Sequence, residues 1–182
     1  MIEPLVAGLV AVVLWVVWTY NRFIKRRNQV KEAWSGIDVQ LKRRYNLIPN
    51  LVEVVQGYAK HEKASLEAVT SLRIGSGKDE SVAQRGTQES EISRVLRNLF
   101  AVAESYPDLK ASTNFVDLQN NLDEIEQQIQ YARRYYNGAV RKWNVLVESF
   151  PSNLIAGFFS FRLADFFEIE QASQRELPSV DF

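Results

Sequence analysis

The chain has 182 residues, and 22 Lys+Arg stand against 22 Asp+Glu, so its net charge is zero. Its length fits one domain plus an anchor, and its charge balance argues against a bulk nucleic-acid binder, which would carry a basic excess. With no Cys and a single His, it has no disulfide framework or thiolate nucleophile, and little to offer His-based catalysis or metal binding.

Residues 5–20 carry no charge, and Phe23 and Ile24 extend the apolar run past Arg22. A membrane span needs about 20 mostly apolar residues. Residues 5–24 therefore read as one transmembrane helix after a short extracytoplasmic tail, 1–4. Trp15, Trp18 and Tyr20 gather toward its end like an interfacial aromatic belt. A cleaved signal peptide would have positive charge before the apolar run and small residues after it. Here Glu3 precedes the run and a bulky basic segment follows. Arg22, Lys25, Arg26 and Arg27 lie at that end, which the positive-inside rule places in the cytoplasm. The expected topology is N-terminus out, with nearly the whole protein cytoplasmic. These seven residues are the predicted membrane-interface set.

From Val30 the apolar residues recur at alternating steps of four and three. One set is Val30, Ile37, Arg44, Leu51, Tyr58, Ser65 and Leu72, and its partner is Trp34, Leu41, Ile48, Val55, Glu62 and Val69. That is the seam of a helix packed against other helices. Tyr45, Val52, Ala59 and Leu66 flank it. No Gly-Pro break separates the anchor from this helix, although Ser35-Gly36 offers a place to bend. Pro49 removes a helix hydrogen bond, yet the seam keeps its phase across it. A kink within one continuing helix is expected, the alternative being a break near Asn46. Gly75 and Gly77 stop the helix, and a polar loop is expected to about Thr87. The second helix is expected over about 90–105, with Ile92, Val95, Leu96, Leu99, Phe100, Val102 and Ala103 on its stripe. Tyr106-Pro107 ends it, and Asp108 or Ser112 can cap the third helix. That helix is the most regular, running from Phe115 through Leu118, Leu122, Ile125, Ile129, Ala132, Tyr136, Ala139, Trp143 and Leu146 to Phe150. Residues 25–150 thus form the helical bundle. The segment 151–182 is dense in Phe and is expected to pack on the bundle or to lie at the membrane. Its low basic content favours packing.

Chemistry is sparse. GSGK lacks a phosphate loop's pattern, with Leu72 where the first Gly belongs and Asp79 after the Lys. His61 has Tyr58 three residues before it, where a di-iron bundle needs Glu, and His61-Glu62 lacks the second His of HExxH. Glu104, Asp108, Glu124 and Glu126 are carboxylates of the kind that solvated helix faces carry. Polar residues gather around Pro49, and the expected role of their amides, with Asn137 and Asn144, is to satisfy backbone left free by Pro49 and to fix helix register. The alternative is a partner-binding groove outlined by Arg43, Arg44, Tyr45, Asn46 and Asn50.

The runs IDVQLKRRYNLIPNLVEVVQGYAKHE, ESYPDLKAS and RRYYNGAVRKWNVLVESFPSNLIAGFF, with the VDF terminus, closely resemble the LemA family from about Asn21 to the end. The resemblance implies a bacterial protein with an N-terminal transmembrane helix and a cytoplasmic all-helical bundle. It brings no catalytic residues, and it implies an association with membrane and envelope processes, including organelle-like membranes of magnetic bacteria. The combined expectation is an all-α fold, an antiparallel bundle of long helices after a transmembrane helix, with no cofactor and no enzymatic activity. The protein would act as an interaction or scaffold protein at the bacterial inner membrane, through a protein partner and self-association. The alternative is a lipid-binding, membrane-organising protein.

Overall fold

The computed structural model describes residues 2–58 and 81–167, and among them every regular element is an α-helix. In chain order these are α1 (Ile2–Tyr58), α2 (Val82–Ala103), α3 (Pro107–Lys110), α4 (Thr113–Glu148) and α5 (Ser152–Phe158). Ala59, His61, Glu62, Ser65, Leu66, Val69, Leu72, the GSGK stretch and its neighbouring helix stop, and the C-terminal VDF lie outside the described residues.

α1 runs unbroken through both Ser35-Gly36 and Pro49, so the chain does not break near Asn46. Pro49 is exposed, between buried Ile48 and buried Leu51. Its missing N–H therefore falls on the solvent side, where the loss is cheapest. The seam is buried at Ile37, Leu41, Arg44, Ile48, Leu51 and Val55. Tyr45 is exposed, so the flank widens at Val52 and not at Tyr45. The expected loop to Thr87 is corrected: α2 begins at Val82. Ser81 and Gln84 form a reciprocal capping box, each side chain accepting from the other's backbone N–H. That satisfies two donors at the helix start and offsets the cost of Gly86.

The described residues divide into two compact units, one of 2–39 with 130–166 and one of 40–58 and 81–129 with Phe167. In the second, Leu51, Val55, Ile92, Leu99, Leu109, Phe115 and Leu122 share one core. Pro107 opens the short α3, where its fixed φ suits a first helical turn. Among the apolar residues sits a charge: Arg44 is 3% exposed. It pairs with buried Glu89, and its Nη1 donates to Glu126 Oε2 at 2.8 Å and to Ser93 Oγ at 3.1 Å. Burial raises the Glu89 pKa above the usual carboxylate value, and the charge of Arg44 works against that rise.

In the first unit, Phe23, Trp143, Leu146, Ile155 and Ala156 form a core, with Trp15, Val16, Val30 and Phe161 against it. Each such fully buried large side chain contributes about 1.5–3 kcal/mol relative to exposure. Trp34 meets Tyr136 and Phe23 meets Trp143, so α1 and α4 run antiparallel here.

Removing one partner of a buried ion pair strands the other. Arg44→Met should cost about 3–5 kcal/mol, and Arg44→Met with Glu89→Leu should recover most of it. Folding raises the Glu89 pKa, so any penalty for an unpaired Glu89 grows as pH rises and fades below its ordinary value of 4.5. Denaturant unfolding of wild type, single and double variants at acid and neutral pH checks both the recovery and the direction.

Candidate membrane interface

The anchor end of α1 is not bare. Residues 2–14 are exposed all round, but from Trp15 onward one face is covered. Thr19 and Phe23 are buried on it. The cover comes from the end of α4, from α5 and from the chain that follows. Phe161 stacks on Phe23 at 4.7 Å, and Phe159 meets Tyr20 at the same distance.

Two devices fix this cover. At the close of α4, the Ser152 hydroxyl lies 2.8 Å from the carbonyl oxygens of both Leu146 and Ser149, donating to the helix's open end. At the close of α5, Ser160 adopts φ 55° and the chain forms a Schellman motif. The Ser160 N–H donates to the Gly157 carbonyl, and the Phe161 N–H to that of Ala156. The chain then runs without helix beside α4. Trp143 Nε1 donates to the Arg162 carbonyl at 2.8 Å, and the Tyr136 hydroxyl to the Asp165 carbonyl at 2.9 Å. Asn144 binds Ala164 in both directions, at 3.0 and 2.9 Å.

Outside this packing, the hairpin of α4 and α5 presents large apolar groups. Phe150 is 79% exposed, Leu154 60% and Phe158 82%. Phe150 is the one residue of the predicted α4 stripe that turns out to solvent. Beside it lies a cavity of about 440 Å³, lined on α1 by Trp15, Trp18, Thr19, Arg22 and Arg26, and on the other side by Arg141, Lys142, Val145, Leu146 and the turn 149–152.

Of the predicted interface set, Trp15, Trp18, Arg22 and Arg26 line this cavity. The Arg22 guanidinium lies 5.5 Å from the centre of the Trp18 ring, and Arg26 donates to Gln29 at 2.8 Å. Tyr20 packs under Phe159, Lys25 is exposed, and Arg27 approaches the Phe161 ring at 6.0 Å. Of the predicted groove, Arg44 turns inward to its carboxylates. Arg43, Asn46 and Asn50 share one exposed face at helical spacing, with Gln40 accepting from Arg43. Tyr45 is exposed away from that row. Glu104 pairs with Lys110, and Glu126 with Arg44. Among the described residues no group of three or more acidic or His side chains is placed to hold a metal. Arg141 and Lys142 were not anticipated at the interface. Their only signal was a basic pair beside Trp143 on the stripe, some 120 positions from Arg22.

A long apolar stretch at the start of α1, with only α-helices among the described residues, defines a membrane-associated, all-helical protein. A sequence model of the LemA family matches residues 33–182. The chain is similar to Magnetosome protein MamQ 1 of Paramagnetospirillum magneticum, 24% identical over 193 residues that cover 92% of this chain and 71% of the relative. It is also similar to Protein LemA of Metamycoplasma hominis, 26% identical over 162 residues covering 88% and 73%. The chain belongs to the LemA family.

The strap that residues 162–165 form along α4 has a measurable signature. Burial, with the Asp165 charge adding, pushes the Tyr136 phenol up to about 12 from its ordinary 10. A raised phenol is protonated longer in the fold than in the unfolded chain, so its contribution is complete below pH 10 and is lost as pH rises toward 12. Thermal melts across that range should show a decline that Tyr136→Phe lacks, against a baseline lowered by about 0.5–1.5 kcal/mol for the missing hydrogen bond.

Proposed function

We propose that the protein is a non-enzymatic scaffold seated on the bacterial inner membrane by two attachments, the α1 span and the α4–α5 hairpin beside it. The bundle then offers its outer surface to a protein partner or to further copies of itself. The observation that carries this reading is the order of contacts along the anchor. Trp143 and Phe161 meet Phe23, Phe159 meets Tyr20, and the turn 149–152 reaches the cavity of Trp18 and Trp15. The hairpin therefore points along α1 toward the middle of the apolar stretch. Counted back from Ile24, Trp15 lies about 13 Å along the helix at 1.5 Å per residue. A hairpin tip at that level enters the leaflet, and exposed Phe150, Leu154 and Phe158 find lipid there in place of water.

The basic residues at this end support a cytoplasmic bundle with the N-terminus outside. The row of Arg43, Asn46 and Asn50 is the surface we assign to a protein partner.

The natural chain has no Cys, so single reporters can be placed freely. A membrane-impermeant maleimide applied to intact cells should label Glu3→Cys and not Asn46→Cys; the reverse pattern inverts the topology. An environment-sensitive fluorophore on Phe158→Cys, in the full chain in vesicles, should be quenched by lipids brominated on their acyl chains. A fluorophore at Asn46→Cys should not. Equal, water-like emission from both would refute hairpin insertion.

A further inference from the structure

We infer that the cavity between α1 and α4 is a seat for the phosphate of an anionic phospholipid from the leaflet that the hairpin enters. This rests on the inserted-hairpin reading and adds a ligand to it. Four cations line the cavity, Arg22 and Arg26 one turn apart on α1 and the adjacent pair Arg141 and Lys142 on α4. No carboxylate lines it, and none of the four forms a salt bridge among the described residues. Like charges gathered against low-dielectric walls repel one another and focus a positive potential into the cleft. An anion relieves that repulsion, and guanidinium groups match phosphate oxygens in pairs.

The walls distinguish a lipid from a soluble anion. Beside the four cations the lining is mostly apolar and includes Trp18 and Phe150, both largely exposed. A free phosphate has no use for such rings, whereas a phospholipid places its phosphate between the cations and its acyl chains along Trp18 and Phe150. The cavity also belongs to the span itself, since Trp15 and Trp18 fall inside residues 5–24. Basic pockets beside membrane helices hold anionic headgroups by this chemistry.

The test uses the full chain in nanodiscs of phosphatidylcholine and phosphatidylglycerol with matched acyl chains, followed by native mass spectrometry of the lipid that stays bound. Wild type should retain phosphatidylglycerol in preference to phosphatidylcholine. Arg141→Gln with Lys142→Gln should lower that preference about thirtyfold, as expected for two cations removed beside an anionic headgroup. Arg141→Lys with Lys142→Arg should keep most of it. Lys25→Gln with Arg27→Gln, on the same basic collar but off the cavity lining, should leave it nearly unchanged. Equal retention of both lipids by wild type overturns the inference. So does an equal loss in the two Gln pairs, which would mean diffuse attraction to the collar. Displacement of the lipid by excess glycerol phosphate would reassign the cavity to soluble phosphate esters and overturn the lipid source. Arg141 and Lys142 are exposed, so their exchange leaves the core intact, and the charge-preserving pair serves as the folding control. The Phe158→Cys fluorophore separates the two levels: if it reports lipid contact while the headgroup preference is absent, the seat fails and the inserted hairpin stands. If it reports water, both fall.

Discussion

Backbone that leaves a helix must find hydrogen-bond partners elsewhere, and residues 162–165 find them on α4. Tyr136, Trp143 and Asn144 supply four bonds to that short extended stretch. The placement of everything near the anchor follows. With the strap fixed, Phe161 is delivered onto Phe23 and Phe159 onto Tyr20. The short α5 is then confined between the strap and the end of α4, with Ile155 and Ala156 inward and Leu154 and Phe158 outward. The exposure of Phe158 is thus a consequence of how its neighbours are held. A seven-residue helix is too short to be stable on its own; here its contacts at both ends hold it.

Arg44 shows a different economy. A well-packed apolar residue at its place would serve stability as well or better, because desolvating a guanidinium and a carboxylate offsets much of their attraction. What the ion pair adds is position. Arg44 must meet Glu89, Ser93 and Glu126 together, and a helix shifted by one turn would leave a buried charge unmatched. In a core made largely of interchangeable Leu, Ile and Val, such a contact fixes register, as a polar residue in a seam does in coiled coils.

Much of the helical frame was legible in the sequence, because burial on a helix follows a period that the chain displays openly. The seam's register holds Arg44 on the inward face, although its charge also suggests a partner groove, and the α4 stripe places Trp143 and Leu146. The start of α2 was misread because a polar run containing Gly86 resembles a loop, although Ser81-x-x-Gln84 carries a helix-start signal. The seam was also read as beginning at Val30. Phe23, seven residues earlier, is already buried, hidden because an apolar residue in a span looks lipid-facing. The cavity was beyond pattern reading. Its two halves are more than a hundred residues apart, and charged pairs on helix surfaces are common and usually solvated.

The exposed hairpin is also explained by its address. An apolar patch of this size on a soluble protein marks an interaction site or an aggregation hazard. Here it adjoins a helix long and apolar enough to cross a membrane. The aromatic contacts form a graded series, from Phe161 on Phe23 through Phe159 on Tyr20 to Phe158, whose ring centre lies 5.0 Å from that of Phe159. The first step moves toward the apolar end of α1, and exposure rises along the series. A face built to receive another protein has no reason to be graded along the anchor axis. A face built to enter a bilayer does, since the solvent itself changes along that axis from charged headgroup to hydrocarbon. On the proposed reading, the cations at Arg22, Arg26, Arg141 and Lys142 mark the headgroup level and the phenylalanines mark what lies beneath it.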